Sequence, residues 1–138
     1  MKTVEPYLNF AGNTLEAFEF YRSVFGGDFT NKFTYAELTQ GESKPEDRDR
    51  IGHIGLQIAS NLHLMGSDVP ARMEQDFSQG TNFYINLNVE SEEEAQRIFQ
   101  ALSAGGRVEM DLAKTGWADL YASWWDKFGV GWMINYNA

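Results

Sequence analysis

Two histidines are the side chains of this chain best suited to proton transfer or metal binding, and the chain contains no cysteine. His53 lies in a segment where Ile54, Leu56 and Ile58 recur at every second position, so we expect its side chain on the opposite, polar face of a strand. His63 alternates in the same way with its apolar neighbours. The lack of cysteine excludes disulfides, thiolate catalysis, Fe–S clusters and cysteine-ligated zinc. A reducing compartment fits this composition.

Two aspartates could act as acids or bases but stand where aspartate ordinarily stabilises turns. Asp68 ends the segment MGSD, and Asp126 begins the segment DKFG. In such positions an aspartate accepts hydrogen bonds from nearby backbone amides, and we favour that role for both. No Gly-x-Ser-x-Gly elbow occurs, so spacing alone assembles no Ser-His-Asp triad.

Aromatic residues are concentrated near the end of the chain, and too many of them occur there for all to be equally buried. We expect Trp117 and Trp124 to line a pocket. Alternation places Trp132 on the face that contacts a helix and Met133 on the opposite face. The faces of the segment 120–125 are not assigned by its pattern. The aromatic cluster comprises Trp117, Tyr121, Trp124, Trp125, Phe128 and Trp132.

The charge of the chain restricts its partners. Twenty acidic side chains against 11 basic ones give a formal net charge of −9, and no basic cluster offers phosphates a binding surface. We therefore expect no nucleic-acid partner. No secretory signal and no apolar stretch long enough to cross a bilayer is present, so we expect a cytoplasmic protein without a membrane partner.

Two similar helices position these side chains. In the first, Asn13 and Glu16 form a predicted capping box and Gly26-Gly27 a stop; in the second, Ser91 and Glu94 form the box and Gly105-Gly106 the stop. Apolar stripes at helical spacing connect these signals. The stripes consist of Leu15, Phe18, Tyr21 and Phe25 in the first helix, and Ala95, Ile98, Phe99 and Leu102 in the second.

The chain is a tandem repeat. When Gly26 is superposed on Gly105, an offset of 79 residues, the preceding strands also align, and Glu5 becomes the equivalent of Tyr84. Three more strands follow each helix, which predicts an α+β fold of two βαβββ units. We expect one domain spanning 1–138, with half-units of about 1–68 and 80–138 joined by 69–79. The further strands are predicted at 28–38, 51–59 and 61–67, and at 107–113, 118–125 and 130–136.

Two connections interrupt this pattern. The charged segment 40–50 is interpreted as a mobile hairpin connection. The segment 66–81 links the two halves and could equally form a lid over a pocket.

The chain resembles the PhnB-like family of the vicinal oxygen chelate superfamily, which includes glyoxalase I, bleomycin-resistance proteins and extradiol dioxygenases. The resemblance rests on three segments, PYLNFAGNTLEAFEFYRSVFGG, IGHIGLQIASNLHLMGSD and GWADLYASWWDKFGVGWMINY. It implies a glyoxalase-like cupped mixed sheet built from the two units. Sequences of this kind have been named demethylubiquinone methyltransferases, but no Gly-rich strand-turn-helix that could hold S-adenosylmethionine is present here.

In metal-dependent members the resemblance implies four ligands at facing strand positions. The first falls on Glu5, its repeat partner on Tyr84, the last on or beside Met133, and the remaining one on His63. Tyrosine is an uncommon ligand, and a thioether is a poor ligand for hard or borderline divalent ions. His53 could serve as a third ligand beside Glu5 and His63. Because a catalytic zinc site normally has three protein ligands, we expect no metal and no other cofactor, with Glu5, His53 and His63 as the set if a divalent metal is held.

The favoured hypothesis is a protein that binds a small organic molecule in the cup without metal. The resemblance also implies a homodimer. Two alternatives remain open: a metal-dependent lyase, isomerase or dioxygenase, and a protein that confers resistance by sequestering an antibiotic, as bleomycin-binding relatives do. The expected ligand-binding residues are Glu5, Tyr7, Asn9, His53, His63, Tyr84, Asn86, Trp117, Trp124 and Met133.

Overall fold

The structure, a computed structural model, describes residues 1–138. Eight strands and two long helices alternate along the chain with two short helices. In chain order the elements are β1 (Tyr7–Phe10), α1 (Thr14–Phe25), β2 (Phe29–Thr34), α2 (Tyr35–Leu38), β3 (Ile51–Ala59), β4 (Leu62–Asp68), a 3₁₀ helix (Ala71–Asp76), β5 (Tyr84–Val89), α3 (Glu92–Ser103), β6 (Arg107–Ala113), β7 (Leu120–Trp125) and β8 (Gly131–Tyr136).

The elements form two compact units, Met1–Ser78 and Gln79–Ala138. Each unit has one four-stranded mixed sheet, with the strand order β1-β4-β3-β2 in the first and β5-β8-β7-β6 in the second. In both sheets the first strand runs parallel to the last, and the other neighbours are antiparallel. The predicted α+β fold of two tandem βαβββ units is confirmed.

In the first unit, α1 packs on one face of its sheet. Phe18 and Tyr21 are fully buried, as the helical stripe predicts. Leu15 and Phe25 are only half-buried, and Ala17 and Val24 are buried in their place. The buried stripe is therefore rotated slightly from the predicted one, because a small alanine lets the helix approach the sheet closely.

The cap of α1 differs from the prediction. Asn13 makes no capping hydrogen bond with its side chain. Asp68, at the end of β4, accepts hydrogen bonds from the backbone nitrogens of Gly12 and Thr14, both at 3.0 Å, and from Thr14 Oγ1 at 2.6 Å. A carboxylate from a distant part of the chain thus satisfies the free amides of the helix, which local spacing cannot reveal.

In the second unit, α3 packs on its sheet in the same way. The predicted residues Ala95, Ile98 and Leu102 are buried. Ser91 Oγ caps the helix by accepting a hydrogen bond from the Glu94 nitrogen at 3.1 Å. Glu94 Oε2 accepts a hydrogen bond from the nitrogen of Glu90 and not from that of Ser91, so only half of the predicted capping box is present.

The predicted strand 28–38 is too long. β2 ends at Thr34, and a one-turn helix, α2, follows because Thr34 and Glu37 form a reciprocal capping box. The following charged segment is attached to the 3₁₀ helix: Asp47 accepts a hydrogen bond from the nitrogen of Ala71, and Arg50 pairs with Glu74. None of the helices combines the length and apolarity needed to cross a bilayer.

Candidate functional site

The polar face of each sheet, opposite its helix, is here called the cup face. In the first unit the helix side is marked by Gly66, where an added Cβ would lie 2.9 Å from the ring of Phe18 in α1. Neighbouring residues in each strand point the other way. The cup face of the first unit consequently carries Tyr7, Asn9, His53, His63 and Met65.

Tyr7 and His53 form one pair on this face. The Tyr7 hydroxyl and His53 Nδ1 are 3.0 Å apart in a hydrogen bond, and the two rings stack with centroids separated by 5.7 Å. The residues reach each other across β4, which lies between their strands. This contact orients one ring nitrogen of His53 toward Tyr7 and leaves the other without a partner in the protein.

His63 forms a second, separate pair. Its Nε2 is 2.7 Å from Thr30 Oγ1, and both atoms lie over Gly55, where an added Cβ would be 2.6 Å from each. A bulge in β2 between Phe29 and Asn31 turns Thr30 toward this face. A glycine and a bulge, neither of which was anticipated as part of the site, therefore hold the imidazole in place.

The other predicted residues of the first unit make fewer contacts. Asn9 Oδ1 accepts a hydrogen bond of 3.3 Å from Ser67 Oγ. Glu5 lies ahead of β1 and is half-exposed. Nowhere in the chain do three or more His, Cys, Asp or Glu side chains form a group that could hold a metal ion. The structure therefore does not bring Glu5, His53 and His63 together as a ligand set.

In the second unit, Tyr84 and Trp125 form an aromatic pair on the cup face. Their ring centroids are 4.9 Å apart at an angle of 45°. The Trp125 ring lies over Gly131, where an added Cβ would be 2.8 Å from it. Tyr84 and Trp125 both pair in register with Gly131, one from each side. The missing side chain of this glycine makes room for the two rings.

Glu109 completes this arrangement. The Tyr84 hydroxyl donates a hydrogen bond of 2.6 Å to Glu109 Oε1. A register shift in β6 between Val108 and Met110 makes Glu109 the extra residue of a bulge. The hydrogen bond to the carboxylate, followed by desolvation, raises the pKa of Tyr84 above its ordinary value of 10.0, because both favour the protonated phenol. Tyr84 is therefore a hydrogen-bond donor at neutral pH.

Amides, a thioether and further rings continue the cup face beyond Tyr84. Asn135 Nδ2 donates a hydrogen bond of 2.6 Å to Asn86 Oδ1, and Met133, two residues before Asn135 in β8, pairs in register with Asn86. Trp117 is 62% exposed and contacts Tyr121 edge-to-face at 5.3 Å. The predicted residues Tyr84, Asn86 and Met133 thus share one face.

Trp124 was wrongly expected to line a pocket. It is fully buried and packs edge-to-face on Phe99 of α3, with ring centroids 5.3 Å apart. Trp125 is instead the tryptophan of the cup face. The sequence LYASWW lacks a polar residue at every second position, so alternation could not separate the two faces.

The strand pairing shows which residues occupy the four metal-ligand positions that the resemblance implies. Tyr7 pairs with Met65 and Asn86 with Met133, which makes these two pairs equivalent. Counting back two residues on each strand places Glu5 opposite His63 in the first unit, just as Tyr84 pairs with Gly131 in the second. The partner of Tyr84 is therefore Gly131 and not Met133, and it has no side chain to donate. His63 Nε2 is bonded to Thr30 and the Tyr84 hydroxyl to Glu109. This donor set does not fit a four-ligand metal site.

The two aspartates that were expected to stabilise turns are both buried and structural. Asp126 stabilises its own turn as predicted, whereas Asp68 bonds to distant parts of the chain. Asp68 is 2% exposed and, in addition to capping α1, accepts a hydrogen bond from the nitrogen of Ile51. Asp126 is 4% exposed and accepts bonds from the nitrogens of Phe128 and Val130 and from Trp132 Nε1. Both carboxylates are fully engaged, so neither is a candidate for catalysis.

Comparison with known proteins agrees with this architecture. The model of a family described as 3-demethylubiquinone-9 3-methyltransferase matches residues 2–135. The protein YjdN of Escherichia coli strain K12 is 30% identical over 96% of this chain and 93% of its own length. Protein PA1353 of Pseudomonas aeruginosa is 34% identical, with a TM-score of 0.83 and coverage of 99% of this chain and 98% of the other.

A second structure supports the fold alone. A putative 3-demethylubiquinone-9 3-methyltransferase, PhnB protein, from Bacillus cereus is 22% identical, with a TM-score of 0.82 and coverage of 99% of this chain and 100% of the other. The family-model match and the identity to YjdN show that the chain belongs to this family, and its tandem βαβββ units agree with the glyoxalase-like fold that the resemblance to PhnB-like proteins implies.

Proposed function

We propose that this protein binds a small organic molecule on the cup face of its second unit, without a catalytic metal, in the cytoplasm. The observation that carries the proposal is the Tyr84–Trp125 pair at 4.9 Å beside the carboxylate of Glu109. Aromatic walls with a few oriented polar groups are typical of ligand sites. The face supplies rings for stacking and hydrogen-bonding groups for orientation.

Several features support a binding role over metal chemistry. The side chains nearest the implied metal positions are engaged with Thr30 and Glu109, and Gly131 has no donor. The family name suggests methyl transfer, but Asp68 already occupies the amides of Gly12 and Thr14 at the start of α1, where a nucleotide-like cofactor would be expected in a strand-turn-helix site. These points favour ligand binding.

Binding on this face is tested by nuclear magnetic resonance with isotope-labelled protein in a chelating buffer. Planar aromatic fragments should shift the amide signals of Tyr84, Asn86, Trp125 and Met133. Tyr84→Leu should weaken binding about fivefold, since aromatic contacts contribute on the order of 1 kcal/mol. Tyr136→Leu is the matched control, because Tyr136 is also half-exposed and alternates onto the other face. Shifts that survive unchanged in Tyr84→Leu would contradict the proposal.

A sequestering role is the second candidate, and one observation favours it. The net charge of −9 and the carboxylate on the cup face suit capture of a cationic compound. If the protein acts only by capture, bound compound should be recovered chemically unchanged after incubation with the purified protein. Its conversion to a product would instead identify an enzyme.

We also propose that the protein is a homodimer. The edge strand β6 supports this, because Val108 and Met110 are 44% and 45% exposed on a strand whose outer edge is unpaired. Sedimentation equilibrium should give twice the chain mass of 15.7 kDa. Val108→Lys should shift the equilibrium toward monomer, whereas a dimer that is insensitive to this change would use another surface.

A further inference from the structure

We propose that the ligand of the second cup face is a planar organic cation that carries N–H donors, bound by the Glu109 carboxylate against the half-exposed ring of Tyr84, which covers the buried ring of Trp125. The inference rests on the proposed function and specifies its ligand class. It follows from the hydrogen-bonding capacity of Glu109 and from the rings around that carboxylate.

Glu109 is only partly satisfied within the protein. Its Oε1 accepts the Tyr84 hydroxyl at 2.6 Å, and its Oε2 has no protein donor. No lysine or arginine forms an ion pair with it, and its side chain is exposed. A carboxylate can accept about four hydrogen bonds through its two oxygens, so Oε2 is free to accept from a ligand.

The side chain of Glu109 does not take the direction expected of a glutamate that serves only solubility. Surface glutamates ordinarily point into solvent, but this one, which shares a face with Arg107 beside the bulge in β6, reaches across the cup face to Tyr84 on the opposite edge strand. The carboxylate is thereby held close to the pair of rings formed by Tyr84 and Trp125. A cation placed there would contact both the carboxylate and the negative face of an aromatic ring.

The remaining groups of the face restrict the ligand further. Asn86 and Asn135 bond to each other, and Met133 adds a polarisable apolar side chain to the same face, in register with Asn86. These groups suit a flat, partly apolar body. Arg107 acts electrostatically on Tyr84 and opposes the negative charge in part, so Arg107→Gln should strengthen binding of a cation.

Three probes of one shape separate charge from the other contributions. Benzamidinium is a planar cation with N–H donors, benzamide is its neutral counterpart, and benzoate is an anion. Titration calorimetry should show benzamidinium binding about tenfold more tightly than benzamide, because only the amidinium adds a positive charge and two parallel N–H donors to its bond with the carboxylate. Benzoate should not bind detectably. The Trp125 indole signal should shift with benzamidinium.

Two variants locate the effect. Glu109→Gln should reduce the ratio of benzamidinium to benzamide affinity from about tenfold to near one. Asp111→Asn is the matched control, because it removes the same charge from the same strand, and Asp111 bonds only to the neighbouring backbone of Leu112. It should leave the affinity ratio within about twofold of the unchanged protein, as expected for an exposed charge.

The outcomes distinguish this inference from the proposed function. If benzamide binds as tightly as benzamidinium, and Glu109→Gln changes neither affinity, the cation inference is overturned while ligand binding on this face stands. If none of the three probes shifts the Trp125 signal, both the inference and the proposed site are contradicted. Equal losses of benzamidinium affinity in Glu109→Gln and Asp111→Asn would show that the overall negative charge causes the preference. That result would also overturn the inference.

Discussion

The Tyr84 hydroxyl donates a hydrogen bond of 2.6 Å to Glu109, although the two residues belong to opposite edge strands of one four-stranded sheet. Adjacent strands lie about 4.8 Å apart, so three spacings separate these backbones by roughly 14 Å in a flat sheet. The bond can form because long side chains reach inward over a twisted sheet and Gly131 leaves space between them.

The first prediction concerns the acidity of Tyr84. Glu109→Ala should lower the pKa of Tyr84 toward its ordinary value of 10.0, because it removes the acceptor that holds the phenol protonated. Phenolate absorbance measured during a pH titration, as the difference between the unchanged protein and Tyr84→Phe, isolates this residue. An identical titration in Glu109→Ala would show that the bond is absent in solution.

The raised pKa of Tyr84 also predicts how the stability of the protein changes with pH. Because the folded pKa of Tyr84 exceeds the unfolded value, the folded state retains this proton more strongly, and stability must fall as pH rises above 10.0 toward the folded pKa. The contribution is fully present below the unfolded pKa. Urea unfolding across this range should show a smaller decline in Tyr84→Phe than in the unchanged protein, and an equal decline would contradict the assignment.

The second prediction tests the space at Gly131. An alanine Cβ there would lie 2.7 Å from the backbone oxygen of Phe83 and 2.8 Å from the Trp125 ring. Gly131→Ala should therefore lower the free energy of unfolding by about 2 kcal/mol, the usual cost of overpacking. Gly116→Ala is the control, because nothing lies within 4 Å of its added Cβ. Equal stability of the two variants in urea unfolding would refute the close packing.

The third prediction concerns Asp68. Asp68→Ala should lower the free energy of unfolding by about 3 kcal/mol, because it leaves the start of α1 and the nitrogen of Ile51 without their acceptor in a buried place. Asp68→Asn should cost less, since one oxygen remains. Asp111→Ala, at an exposed position, provides the comparison in the same denaturation experiment. A loss below about 1 kcal/mol for Asp68→Ala, the range of surface positions, would contradict the role.

The fourth prediction concerns metal binding. After chelation and dialysis, titration with zinc, nickel, manganese or iron(II) should give no stoichiometric uptake, since Glu5, His63 and Tyr84, with a glycine at the fourth position, do not form a site. Weak binding by the exposed imidazole groups should give a bound-metal ratio far below one ion per chain. Uptake of one ion per chain that is lost in His63→Ala would support the metal-dependent alternative.

Periodicity and the internal repeat predicted the architecture correctly from sequence. The Gly-Gly stops and apolar stripes defined the two long helices, and the 79-residue offset made Glu5 and Tyr84 equivalent before any strand pairing was known. The pairings of Tyr7 and Asn86 with two methionines agree with that equivalence. These features were predictable because they depend on local spacing.

The contacts that build the site were not predictable in the same way. Thr30 reaches the cup face through a bulge, and Glu109 lies beside another; bulges change the register without a local sequence signal. Trp124 and Trp125 could not be assigned to faces in an almost entirely apolar strand, and Asp68 acts on a helix more than 50 residues away in sequence. A signal for the site did exist at Gly131, a glycine between bulky strand residues that indicates close approach.

The most direct test of the account is the electron density on the cup face of the second unit, in crystals of protein purified without chelator. We predict density for a flat organic molecule against Tyr84, beside Trp125, and within hydrogen-bonding distance of Glu109, with no anomalous metal signal. An anomalous peak coordinated by Glu5, His53 or His63, with an ordered metal and no organic density beside Trp125, would contradict it.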